Sequence, residues 1–324
     1  MHSSFSVWNT APTSAPAQRA GRYVPGSADH PAKMLPALAA HAIRTYTQPG
    51  DLVLDPMCGI GTTLVEALHL GRNAIGVEYE PKWARLARLN ATSAMHEGGT
   101  GCGSVFCGDA RDLRELVPSE HHGKIAMVLT SPPYGNSVHG QVRSTRDSGE
   151  AGVTKKHYRY SRDPNNLAHV ATDELLDAFT EILHQCRQVM RPGGTVVITT
   201  RPWRARGELV DLPSAALAAG VAAGFTPTER NVALLAGIRD GQLIARPSFF
   251  QMKNVRDARR RGVPQHLIVH EDVLCLVKPP ETGGAVHESD PRSQRGGTCR
   301  TRKPRTAATF RSRVCRAEGD HGLC

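Results

Sequence analysis

Aromatic residues make up only 5% of this 324-residue chain, so a core must be built mainly from Val, Leu, Ile and Ala. No apolar run approaches the length that crosses a bilayer, and no membrane partner is expected. None of the eight cysteines stands in C-x-x-C spacing, which removes the zinc and thioredoxin-like patterns, and no metal site is expected. Cys58, Cys102, Cys107, Cys186, Cys275, Cys299, Cys315 and Cys324 are scattered, most of them inside apolar runs where a thiol acts as a small hydrophobe. That usage fits a reducing, cytoplasmic setting. Met1 to Thr10 lacks a charged start followed by an apolar stretch, so no secretory leader is expected. Acidic residues are in deficit: 30 Asp and Glu face 40 Lys and Arg, a net charge of +10. A basic balance of this size favours a polyanionic partner.

What is present is an alternation of short apolar runs and amphipathic stretches. Residues 1–30 are rich in Ser, Ala, Pro and Gly and read as a flexible N-terminal arm. Residues 31–47 have helical spacing. Strands follow at 51–54, 73–79, 104–107, 125–130 and 195–200, with two more at 231–238 and 267–277. Helices are expected after the Gly-containing turn near 59–61, from Pro81, over 171–190 and over about 208–223. This order predicts an α/β fold: a doubly wound, mostly parallel, seven-stranded sheet with helices on both faces. The unbroken apolar run 125–130 predicts a strand buried on both sides. Asp240-Gly241 is a hairpin signal, and Lys253 to Gly262 reads as a basic helical insert. One domain over 31–279 is expected, followed by a disordered basic tail at 280–324. In residues 281–324 nine Lys and Arg outnumber five Asp and Glu.

In such sheets ligands bind beyond the carboxyl ends of the strands, and the chemistry-bearing motifs fall there. Asp55-Pro56-Met57-Cys58-Gly59-Ile60-Gly61-Thr62-Thr63 closes the first long strand and opens a helix. Gly59 and Gly61 permit a tight turn, and helix-start N–H groups can meet polar ligand atoms. A nicotinamide fingerprint is disfavoured, because Leu64 stands where G-x-G-x-x-G requires its third glycine. Glu78 ends the next strand, where a carboxylate can accept both hydroxyls of a ribose. Glu80 competes with it, but Glu78 directly follows the apolar run. Asp109 follows the third strand, either as an acceptor for an adenine amino group or as a helix N-cap. Ser131-Pro132-Pro133-Tyr134 follows the fourth.

Together these motifs, with His30-Pro31-Ala32-Lys33-Met34, resemble the class I S-adenosylmethionine-dependent amino-methyltransferases that make N4-methylcytosine or N6-methyladenine in DNA. The resemblance covers roughly residues 25–278. It implies a Rossmann-like fold with S-adenosylmethionine as cofactor. The implied cofactor-site residues are Lys33, Asp55, Pro56, Met57, Cys58, Gly59, Gly61, Thr62, Thr63, Glu78 and Asp109. Ser131, Pro132, Pro133 and Tyr134 are the implied catalytic residues. Met57-Cys58 departs from the family's commoner Phe-x, a change expected to alter packing only.

The chemistry accounts for the tetrad. An exocyclic amine is a poor nucleophile because its lone pair is delocalised into the ring. The Ser131 hydroxyl and the Pro132 carbonyl are candidate acceptors for its hydrogens, prolines present carbonyls rather than donors, and Tyr134 can stack on the base. Within the family, Ser at the first tetrad position leans toward cytosine and Asp toward adenine. DNA is the expected partner and RNA a possible one, since tRNA guanine-N2 methyltransferases have a similar core and tetrad. Such an activity would place the chain in DNA methylation of the restriction–modification kind. Residues 135–170 and 239–266 are the candidate recognition segments. The first carries Arg143, Arg146, Lys155, Lys156, Arg159 and Arg162 interleaved with Tyr158 and Tyr160, and the second carries Arg256, Arg259, Arg260 and Arg261.

Overall fold

Strand periodicity decides which side chains go to which face of the sheet. The computed structural model describes residues 5–133, 141–144, 153–156, 163, 166–205, 208–247 and 249–280. Its central sheet has eight strands: β1 (Val7–Trp8), β2 (Leu52–Asp55), β3 (Asn73–Glu78), β4 (Gly103–Cys107), β5 (Ile125–Thr130), β6 (Met190–Thr200), β7 (Thr226–Leu234) and β8 (His270–Val277). Their spatial order is β1-β7-β8-β6-β5-β2-β3-β4. β4, β3, β2, β5 and β6 are mutually parallel. β8 runs antiparallel to both β6 and β7.

After the short α1 (Ala15–Arg19), helices α2 (Pro36–Tyr46), α3 (Thr62–His69) and α4 (Pro81–His96) bury their apolar sides with Val53, Met127, Leu129, Val197 and Val273. The alternate residues Leu54, Val128, Val196, Ile198, Leu274 and Leu276 turn to the other face. There they meet the short α5 (Leu113–Leu116) through Leu113, α6 (Thr172–Val189) through Phe179, Ile182, Leu183 and Val189, and α7 (Leu212–Ala222) through Ala216 and Ala219. This is the period-two pattern of a sheet covered on both sides. All six residues of β5 are buried, as its continuous apolar run requires. No described helix is long and apolar enough to cross a membrane.

Three sequence expectations change. First, the sheet has eight strands rather than seven, because the N-terminal segment contributes one. Val7 and Trp8 pair with Val232 and Ala233, and Trp8 is buried. Second, residues 5–30 are therefore built into the fold rather than a flexible arm. Asn90 of α4 accepts from Val24 N (2.8 Å) and donates to Ile60 O (2.8 Å), and Arg22 pairs with buried Glu66 at 2.9 Å. Small and polar composition suggested mobility; tertiary hydrogen bonds to side chains far along the chain supply the order instead. Third, the helix expected over 208–223 starts only at Leu212. Asp211 accepts from Ser214 N at 3.2 Å and caps it, while Glu208–Val210 pair with Trp203–Ala205 as a hairpin. The tail 281–324 lies outside the described residues.

Candidate active site

The chain leaves β2 toward β3 and β4 on one side, then returns to β5 on the other, so the switch point lies between β2 and β5. A cavity of about 580 Å³ opens there, at the carboxyl ends of the parallel strands. Its wall includes Asp55 to Ile60, Thr62, Thr63, Glu78, Asp109 and Ser131 to Pro133. The two groups of motifs, far apart in sequence, thus face one space. Tyr134 lies outside the described residues, as does most of 135–170.

Buried carboxylates organise the loop after β2. Asp55 accepts from Met57 N (3.1 Å) and from the Thr63 hydroxyl (2.6 Å), tying the strand end to the first turn of α3. Burial raises its pKa to about 6. Glu78 accepts from Gly59 N through Oε2 (2.8 Å) and from Glu80 N through Oε1 (3.0 Å). Its pKa rises to about 7, because burial outweighs those two backbone donors. Glu80 is the hydrogen-bond partner of Asn166, and of the two carboxylates it is Glu78 that lines the cavity.

The two glycines of the loop act differently. Gly59 has φ +55°, and a side chain there would meet His30 Nε2 at 3.0 Å. His30 is itself packed edge-on to Trp83 with ring centroids 4.7 Å apart. Gly61 does not line the cavity. It caps α3 with φ +82°, donates to Cys58 O at 2.7 Å, and keeps α4 close, since an added Cβ would lie 3.3 Å from Ala87. Cys58 packs over Gly76, and burial pushes its thiol well above the ordinary range, so it stays protonated and is no nucleophile.

Two expected cofactor residues have their polar groups engaged. The Lys33 ammonium donates to the carbonyls of Ala28 and His30, and desolvation lowers its pKa to about 8. It therefore closes the 28–33 turn against the cavity wall. Asp109 takes the N-cap alternative: it accepts from Arg111 N at 2.9 Å and from the Arg111 guanidinium at 3.0 Å.

Sequence reasoning missed several wall residues. Asn166 donates to Glu80 Oε1 (2.9 Å), Tyr79 donates to Asp163 (2.9 Å), and Leu167 adds an apolar contact surface, so Asp163, Asn166 and Leu167 lie against the end of β3. Arg201, after β6, and Glu271, on β8, occupy the far side. Arg246 donates to the carbonyls of Ala11 (2.8 Å) and Pro12 (3.2 Å), holding the N-terminal segment against the cavity. Arg201 had its strand-end position as a signal, and Asn166 and Arg246 fall inside the two candidate recognition segments without a motif of their own.

A doubly wound, mostly parallel sheet with the antiparallel β8 set between β6 and β7 is a Rossmann-like arrangement. The implied cofactor is S-adenosylmethionine. The residues fit it: the buried Glu78 carboxylate stands on the cavity wall at the end of β3, the Gly59 turn removes side chains beside it, and the volume lies in the range of small-molecule sites. Residues 3–89 match the family model described as a DNA methylase. That match spans His30 to Lys33, the Gly59 loop and Glu78, and stops before Asp109 and Ser131. The chain is 48% identical over 62 residues to the type II methyltransferase M.BglI of Bacillus subtilis, covering 19% of this chain and 18% of that protein. It is 34% identical over 110 residues to the tRNA (guanine(10)-N2)-dimethyltransferase of Methanothermobacter thermautotrophicus, covering 34% of this chain and 30% of that one. The chain thus spans under a third of the length of either relative. Among solved structures, a TehB-like methyltransferase from Corynebacterium glutamicum is 13% identical with a TM-score of 0.38, covering 74% of this chain and 86% of that one.

Proposed function

We propose that this chain transfers a methyl group from S-adenosylmethionine to the exocyclic amino nitrogen of a base in DNA, with cytosine N4 as the target. The observation that carries this reading is the placement of Ser131, Pro132 and Pro133 on the wall of the same cavity as Glu78 and the Gly59 loop. The bound cofactor supplies an electrophilic methyl. Glu78 would accept the ribose hydroxyls, and Asp55 keeps the 56–60 loop in its turn. The Ser131 hydroxyl and the Pro132 carbonyl accept the amino hydrogens, concentrating electron density on nitrogen. Alignment and acceptor placement then carry the catalysis, with no covalent enzyme intermediate. Tyr134 would stack on the base, which must leave a duplex to enter the cavity. Residues 135–170 and 239–266 would grip the substrate through their arginines and lysines.

A second reading, methylation of guanine N2 in RNA, is favoured by the 110-residue similarity to the tRNA dimethyltransferase. Adenine N6 differs from cytosine N4 only in the fit of the base, and Ser131 supports cytosine. Methyl transfer from labelled cofactor to separate DNA and RNA pools decides between them. Label in DNA alone is expected; label in RNA alone would replace this reading with the second.

A further inference from the structure

A hairpin on the cavity rim has no part in the chemistry above. Gly237–Arg239 pairs with Gln242–Ile244, placing Ile238 opposite Leu243. The turn residues Asp240 and Gly241 have φ of 49° and 72°, the left-handed pair of a turn that matches strand twist. Asp240 is the only non-glycine residue with positive φ among the described residues. The root is firmly seated. Ala236 is fully buried, and a side chain at Gly237 would meet Ala11 O at 3.1 Å and Arg246 at 3.0 Å. Leu235 before the hairpin and Arg246 after it both line the cavity. At about 3.4 Å per residue, the turn stands roughly 10 Å beyond that rim.

Past its root the hairpin is exposed, and its apolar side chains are too: Ile238 is 53% accessible, Leu243 55% and Ile244 38%. Ile238 and Leu243 are directly opposed, so they project from one face. An apolar protrusion bordered by charge marks an interaction surface. The neighbouring charge says which kind. Arg239 is exposed on the hairpin itself. The next element, α8 (Phe249–Arg260), begins at the cavity with Gln251 and presents Arg256, Arg259 and Arg260 along a shallow groove with Met252 and Val255. Ile238 and Leu243 thus form an apolar pair between the seated root and a polar turn of Arg239, Asp240, Gly241 and Gln242. With hairpin and α8 both leaving the same cavity wall, and three arginines on α8 against Asp240 and Asp257, this side of the cavity complements a polyanion whose stacked bases must be parted.

We infer that the 237–244 hairpin is a wedge that opens duplex DNA: Ile238 and Leu243 enter the stack where the target base leaves it, and Arg256, Arg259 and Arg260 hold the flanking phosphates. This rests on the DNA reading of the site. The wedge lowers the cost of extrusion and touches no reacting atom, so its loss is felt only where there is a stack to open.

The test compares the full chain with its Ile238→Ser/Leu243→Ser variant. Both side chains are exposed, so little packing is lost. Methyl transfer is measured on one sequence presented as a duplex, as a single strand, and as a duplex with the target opposite an abasic site. The variant is expected to lose about tenfold or more in kcat/KM on the duplex. It should stay near the parent on the single strand and recover on the abasic duplex. An unchanged duplex rate, or equal loss on all three substrates, overturns the wedge. So does a parental dimer that the variant dissolves, which would assign the patch to a second copy. A parent inactive on every DNA would instead overturn the DNA reading itself, before the variant is considered.

Discussion

Replacing Glu78 with Gln separates the two demands placed on this carboxylate. Glu78 is 2% exposed, and burial holds its pKa at about 7 against an ordinary 4.5. The folded chain therefore binds this proton more tightly than the unfolded chain does. The destabilisation is absent below pH 4.5, grows as pH rises, and reaches about 3 kcal/mol above pH 7. A Gln side chain does not titrate, so the variant lacks that term. It also offers an amide NH₂ where a second acceptor is needed, leaving the N–H of Gly59 or Glu80 without a partner at a cost of about 1–3 kcal/mol. Asp55, with its pKa near 6, titrates in both chains, and its charge is among the smaller causes that raise Glu78. At pH 5 the parent already carries about 1 kcal/mol of that destabilisation, so urea unfolding should find the variant less stable by up to about 2 kcal/mol at pH 5 and level with the parent, or more stable, at pH 8. Cofactor affinity should fall at both pH values, since hydrogen bonds to a charged acceptor contribute about 1.5–3 kcal/mol each. Ribose hydroxyls favour the ionised carboxylate, so binding to the parent at pH 6 should release a proton that the variant does not. Calorimetry in buffers of differing ionisation enthalpy reads that proton. A stability gap identical at pH 5 and pH 8, with unchanged cofactor binding, would refute the reasoning.

Further substitutions probe the rest of the site. Ser131→Ala and Tyr134→Ala should each lower turnover by about tenfold or more while cofactor binding, read by titration calorimetry, stays near the parent's; loss of binding in both would mean that the chemistry is misplaced. Gly59→Ala adds a Cβ 3.0 Å from His30 Nε2 at a φ of +55°, so thermal unfolding should report a loss of about 1–2 kcal/mol and calorimetry a weaker cofactor. Arg246→Ala removes two hydrogen bonds that hold Ala11 and Pro12, and limited proteolysis should then cut sooner between residues 10 and 20.

Much of the sheet was legible because each parallel strand is a short apolar run ending in a polar or glycine-bearing turn, and such runs also locate the switch point. The Asp240-Gly241 hairpin was equally readable, since few other pairs adopt left-handed φ at both positions. What stayed hidden depends on tertiary contact. A two-residue strand such as Val7–Trp8 has no periodicity, and its order comes from Val232, Ala233, Gln18 and Arg246. Leu209 looks like part of a helical stretch until Asp211 is seen capping the helix that starts behind it. Within the candidate site, strand-end motifs placed Glu78, the Gly59 loop and Ser131 on one wall. Asn166, Arg246 and Glu271 carry no motif, and only the fold brings them there. Lys33 and Asp109 show the converse, because residues that look free to bind a ligand are occupied by backbone carbonyls and by Arg111.

The central claim is amino-group methylation of a DNA base at the cavity between β2 and β5. Nucleoside mass spectrometry of DNA incubated with the protein and isotopically labelled S-adenosylmethionine tests it most directly. The account predicts labelled N4-methylcytosine that disappears with Ser131→Ala. Labelled DNA that carries the methyl on a ring carbon, or DNA that stays unlabelled while RNA gains N2-methylguanine, would contradict it.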